Sequence, residues 1–297
     1  MSTLSFKERI ENGILDLIWS LWTELGVQGI QRQHSSMAID PEALIAFTGA
    51  LGNLDPRLRD EATDWCIEHY KYISGSRLKT IIKEDYADFP DTGRLIATVN
   101  EYSQARLPGA TTPRKFKSRK RGQTITIKRP SLILFRLRCL VGTGARSGII
   151  FHLLATPGAE YSAADLAERT KFTKRRVADT LHDLNESGLV FCRRQRNQLL
   201  YSLDLVQSMQ GLAGDLPAVW PLWTDIFPWL LGIWTIARNC DSSMSSLTAY
   251  TAMRKLNERH PLALSGTLLR PPPLDKKGKD FWPAFLEWST GCKLLSA

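Results

Sequence analysis

The sequence is poor in the residues that build disulfide, metal or catalytic centres. Its five cysteines, at 66, 139, 192, 240 and 292, are odd in number and widely scattered, so they supply no disulfide framework. The five histidines, at 34, 69, 152, 182 and 260, stand apart from any Gly-x-Ser-x-Gly or cysteine-centred motif. Cys66 and His69 lie one helical turn apart, but no second Cys/His pair completes a zinc site, and a buried helix face explains them better. Asp275-Lys276-Lys277 lacks the second carboxylate a nuclease-like cluster needs. The chain is therefore read as no enzyme, with no metal and no cofactor. No apolar segment follows a basic start, and the Trp-rich stretch Leu216 to Ala237 is broken by Pro217, Pro221, Asp225 and Pro228. Export and a membrane span are not expected, and a cytoplasmic setting is.

The most informative absence is of acid. At 297 residues, 43% hydrophobic and 23% charged, the composition is globular, yet the net charge of +9 is unevenly placed. Between Glu101 and Glu160 lie 58 residues with twelve bases and no acid, whereas residues 1–101 hold 16 acids against 10 bases. Residues 160–205 and 206–297 are near balance, at +1 and +2. A contiguous acid-free block points to a phosphate-bearing partner. Within it, residues 108–130 read as a linker. Its run Arg114-Lys115-Phe116-Lys117-Ser118-Arg119-Lys120-Arg121 is either a solvated loop or a flexible arm for a DNA backbone or minor groove. Thr124 to Lys128 alternates at period two and fits a short strand. Gly142-Thr143-Gly144 has no strand before it and no Gly-Lys-Ser/Thr after it, so it fits a turn between helices better than a phosphate loop.

The first hundred residues carry helical patterns. Ile10, Ile14, Leu17, Ile18, Leu21, Trp22 and Leu25 form one wide stripe, stopped by Gly26. Asp40-Pro41 and Asp55-Pro56 each pair an N-cap aspartate with a proline at the first helical position. Asp91 is read as the cap of a further helix. Asp55–Tyr72 and Ser76–Lys83 can be drawn as a helix-turn-helix reading DNA with Arg77, Lys79 and Lys83. Asp60, Glu61, Asp64 and Glu68 would repel phosphate there, so a plain helical scaffold is preferred. Near the other end, Trp220, Trp223, Phe227, Leu230 and Trp234 recur at spacings of three and four, as the core of a helical domain or as a dimer or partner face. A last amphipathic helix is expected at Phe281–Trp288.

Tyr161 to Leu203 has the pattern that implies a partner. Ser162 can cap a short helix with Leu166 and Ala167 on its apolar face. A turn follows at Lys171-Phe172, and Thr173 can cap a second helix from Lys174 to about Ser187, ended by Gly188. Val177, Leu181 and Leu184 then share one buried face. Leu189–Cys192 and Leu199–Leu203 read as strands flanking a polar tip, Arg193 to Gln198. Ala145 to Leu154 supplies a preceding core helix.

Residues 145–203 resemble the winged helix-turn-helix of prokaryotic regulators of the MarR and ArsR kind. Joined to the helical patterns at the two ends, which have no such match, it gives an expected mainly α fold: a helical amino-terminal domain (1–107), the basic linker (108–130), a central winged helix-turn-helix with a small β-wing (131–205) and a Trp-rich helical carboxy-terminal domain (206–297). The resemblance makes Thr173–Glu186 the recognition helix. With its apolar face turned inward, Thr173, Lys174, Arg175, Arg176, Asp179 and His182 are the candidates for base contacts. Arg193, Arg194 and Arg196 on the wing, with Arg114, Lys115, Lys117, Arg119, Lys120 and Arg121 in the linker, are the candidates for backbone contacts. The expected function is a homodimeric, sequence-specific regulator on double-stranded DNA, a repressor or autoregulator. The alternative is an antitoxin-like or defence-system protein that holds a protein partner through its helical domains and autoregulates through the winged helix.

Overall fold

The computed structural model describes residues 6–29, 34–109, 111–118, 125–203, 211, 214–240, 245–263 and 271–290. Among them are twelve α-helices and one three-stranded antiparallel sheet, so the chain is mainly helical. α1 (Phe6–Glu24) buries the expected stripe, and Gly26 turns the chain behind it at φ +97°. α2 (Pro41–Ala50) and α3 (Pro56–His69) start as their Asp-Pro pairs imply. Asp40 accepts from the Ala43 N–H and Asp55 from those of Arg57 and Leu58. Each proline sits where a helix has no use for an N–H.

α4 (Gly75–Asp85) follows Ser74. α5 (Pro90–Tyr102) differs from expectation, because Phe89 and not Asp91 is its N-cap. Pro90 takes the first helical position, for which its fixed φ suits it, and so moves the start upstream. Asp91 falls in the first turn and accepts from Asn53 Nδ2 at 2.5 Å and Arg94 Nη1 at 3.3 Å. Residues 125–128 do not form the expected strand. The Arg129 N–H closes a turn on the Thr126 carbonyl at 3.1 Å, and Ile125 and Ile127 pack on the helical core instead. Thr124 lies outside the described residues.

α6 (Ile133–Val141) and α7 (Ala145–Ala155) meet at the glycine turn, where Gly142 has φ +84°. Then come β1 (Tyr161–Ser162), α8 (Ala163–Thr170), α9 (Lys174–Glu186), β2 (Val190–Gln195) and β3 (Gln198–Leu203). The sheet order is β1-β3-β2, with Tyr201 opposite both Tyr161 and Cys192. α10 (Trp223–Cys240), α11 (Ser246–Arg259) and α12 (Phe281–Thr290) complete the helices. Among the described residues no helix is long and apolar enough to cross a membrane.

Helices from the two ends of the chain, drawn above as segments 1–107 and 206–297, bury their faces in one shared core. Phe47 of α2 stacks on Phe227 of α10 at 4.6 Å, and the Trp234 indole N–H donates to Glu11 of α1 at 3.0 Å. Trp223, Phe227, Leu230 and Trp234 are therefore filled by this chain itself, while Trp220 packs on Phe151. A Cβ on Gly232 would stand 2.4 Å from Leu256, so the bare glycine lets α11 close onto α10. A second core lies beneath α7, α8, α9 and the sheet. α6 stands between the two: Phe135 faces the first core, while Ile133, Leu134 and Leu137 face the second.

Where the two cores meet, four charged side chains are packed out of solvent. Arg77 donates to Asp40 at 2.5 Å through both Nη atoms and to Glu42 at 2.7 Å, and its Nε reaches the Thr170 carbonyl at 2.8 Å. Arg138 grips both oxygens of Glu42, at 2.8 and 2.7 Å, and the Tyr72 carbonyl at 2.5 Å. Burial alone would raise the Asp40 pKa, but the Arg77 and Arg138 guanidiniums hold it below its ordinary value. With Arg77 only 4% exposed, α3 and α4 cannot read DNA through it, whereas Lys79 and Lys83 are exposed.

Two outcomes follow for stability. Arg77→Met strands buried carboxylates and should cost about 3–5 kcal/mol in urea unfolding; a loss under about 1 kcal/mol would show the pair to be solvated. His152 lines the same internal gap as Asp40, Arg77 and Thr170. Burial first, then Arg77 and Arg169, pull its pKa down to about 3. Unfolded, the imidazole takes its proton near pH 6.5, so stability is lost as pH falls from about 6.5 toward 3. His152→Gln should flatten unfolding free energy against pH in that window, and an unchanged slope would refute this origin.

Candidate nucleic-acid interface

The outer surface of α8 and α9 is shaped by local chemistry. Ser162 and Asp165 form a reciprocal capping box: the Ser162 N–H donates to Asp165 Oδ2 at 2.9 Å, and the Asp165 N–H to Ser162 Oγ at 3.2 Å. α8 ends on Lys171 in the left-handed region at φ 58°, which turns the chain sharply into Phe172. Thr173 caps α9, its Oγ1 accepting from the Arg176 N–H at 3.3 Å. Val177, Leu181 and Leu184 are buried, so Thr173, Lys174, Arg175, Arg176, Asp179 and His182 all stand on the exposed side.

The exposed side of α9 is polarised. Its first turn carries Lys174, Arg175 and Arg176, and none of the three is paired with a carboxylate among the described residues. Beyond it the exposed acids are Asp179, Asp183 and Glu186. Arg146, which the sequence reading passed over, sits beside the acidic part of the helix instead. It lies in the first turn of α7, exposed, with Nη2 3.3 Å from Asp183. Arg176 extends toward the glycine turn, where a Cβ on Gly144 would lie 3.9 Å from its Nη2. The only sequence signal for Arg146 was its exposed place in a helix start; its neighbour Asp183 is 37 residues away.

The hairpin tip is smaller than expected. Arg193 and Arg194 lie in β2, and the turn is Arg196-Asn197 alone, with Arg196 at φ 53°. A strand at the edge of a sheet can be polar along its length, so polarity alone overestimated the loop. Arg193 forms a forked ion pair with Glu160, which lowers the Glu160 pKa and raises that of Arg193. Arg194 and Arg196 are exposed beside each other, Arg194 Nε donating to the Arg196 carbonyl at 3.4 Å.

Much of the acid-free block turns inward. Arg114 contacts Asp60 at 3.5 Å, its N–H donates to Thr98 Oγ1 at 3.0 Å, and Phe116 packs edge-on to Tyr102. The start of the arm is thus held against α3 and α5. Arg129 donates to the Glu24 carbonyl at 3.2 Å, Arg136 to that of Asp215 at 2.5 Å, and Arg138 is buried on Glu42. Lys115 and Lys117 are exposed. Arg119, Lys120 and Arg121 lie outside the described residues. No protein-family model, no curated protein and no solved structure matches the chain.

Proposed function

We propose that residues 145–203 form a winged helix-turn-helix and that the protein is a sequence-specific regulator on double-stranded DNA, a repressor or autoregulator acting as a homodimer. The observation that carries this reading is the run Lys174-Arg175-Arg176 in the exposed first turn of α9, unpaired with any carboxylate among the described residues. Cations at a helix start oppose the helix dipole, so a phosphate-bearing partner is the natural compensation. Asp179, Asp183 and Glu186 keep the far half of α9 away from phosphate, which favours entry into the major groove by the amino end.

In that pose Arg175 and Arg176 reach guanine edges, with Thr173 and His182 at the flanks. Asp179 accepts from cytosine or orients an arginine. Arg194 and Arg196 follow the backbone as the wing. Two copies on an inverted repeat double this small contact, and half-sites about 34 Å apart would match one helical turn. The size of the helical body, beyond what a dimerisation arm requires, favours a second reading. In it the body holds another protein, as an antitoxin does, and the winged helix serves autoregulation; co-purification of a second protein would support it, and a clean homodimer on DNA would oppose it.

The two arginine groups separate in binding experiments. Arg175→Ala should relax preference at one base pair by about 1–3 kcal/mol while leaving random DNA bound nearly as before. Arg194→Ala and Arg196→Ala should weaken all sequences alike, each flattening the slope of log affinity against log salt by about 1. Equal losses on specific and random DNA from all three would sink the assignment of base contacts.

A further inference from the structure

A cleft of about 390 Å³ opens between the end of α4, the loop after it, α10 and α11. Phe89, Leu231, Ile236 and Leu256 give it apolar walls, and Asp85 and Asp88 stand on one side. The Asp85 side chain is 8% exposed. Its contact with Arg259 is loose, at 3.5 Å, and that arginine is itself 64% exposed and donates to the Glu84 carbonyl at 3.0 Å. Burial pushes the Asp85 pKa up to about 6, with Glu84 and Asp225 adding to the rise against the pull of Lys171 and Arg259. His260 on the same wall is held neutral, pulled down to about 4 by burial and then by Arg259 and Lys171. The cleft therefore contains a buried carboxylate whose close counter-charge is the loosely held, solvent-exposed Arg259, beside apolar surface that opens to solvent. A ligand anion would meet Asp85 and Asp88, and a neutral apolar ligand would leave the carboxylate desolvated. A cation with an apolar body satisfies both.

We propose that this cleft binds small organic amines, the apolar body lying on Phe89, Leu231 and Leu256 and the ammonium group donating to Asp85 and Asp88 in place of Arg259. The site stands apart from α9, and its test needs no DNA. Titration calorimetry of the full chain with phenethylamine, at about pH 7.5 where amine and Asp85 are both charged, is compared with the neutral isostere 2-phenylethanol. Saturable amine binding is expected, with the alcohol weaker by about tenfold or more. Asp85→Asn should weaken the amine by about tenfold and leave the alcohol unchanged. Ala252→Trp, which fills the cleft from α11, should abolish both. The proposal is overturned if amine and alcohol bind alike, if Asp85→Asn or Ala252→Trp leaves amine affinity unchanged, or if no saturable amine binding occurs up to about 10 mM.

Discussion

Asp40, Glu42, Arg77 and Arg138 meet where the helical body joins the unit that carries α9, and the relative placement of the two depends on them. Apolar packing is non-directional, so the two cores on either side of α6 would tolerate some sliding. Charge-assisted hydrogen bonds do not. Arg77 fixes the angle by taking Asp40 and Glu42 with its Nη atoms and the Thr170 carbonyl, at the end of α8, with Nε. Lys171, one residue on, pairs with Glu84 at the other end of α4 at 3.0 Å. α4 thus holds the turn before α9 at two points. Buried pairs of this kind contribute less to net stability than their geometry suggests, since desolvation offsets most of the attraction. Their contribution here is orientation: the basic first turn of α9 faces solvent because the turn before it is clamped from behind.

The same electrostatics revise where charge for a partner resides. The first 101 residues are acidic and the next 58 basic, and the fold brings these segments together. Arg114 lies on Asp60, Arg129 on Glu24 and Arg138 on Glu42, so part of the block's excess is internal complementarity. The exposed surface proposed for DNA is then narrower than the linear charge count implied. It draws on Lys174, Arg175 and Arg176 and on Arg194 and Arg196 of the hairpin.

Features set by neighbouring residues were legible in the sequence. The Asp-Pro starts of α2 and α3, the Ser162 and Thr173 caps, and the inward face Val177, Leu181 and Leu184 all depend on spacings of a few residues. Asp91 was misplaced because Pro90 and an aspartate compete for adjacent positions at a helix start. Features set across the chain were not legible. Phe47 and Phe227 are 180 positions apart, and no local pattern says that two apolar stripes share one core. Arg77 and Arg138 look like surface residues until Glu42 is seen between them, 35 and 96 positions away. The cations of α9 were readable as a group, whereas Arg146 meets Asp183 only through the packing of α7 on α9.

The fold combines a helical body with one core from both chain ends, a clamped joint, and a small basic end of α9, for which we propose sequence-specific DNA binding. Selection of bound sequences from random duplex DNA, run with the native protein and with the double variant Arg175→Ala/Arg176→Ala, tests it most directly. The account predicts a defined motif enriched by the native protein and lost by the variant. Absence of any enriched motif, or the same motif from both proteins, would contradict it.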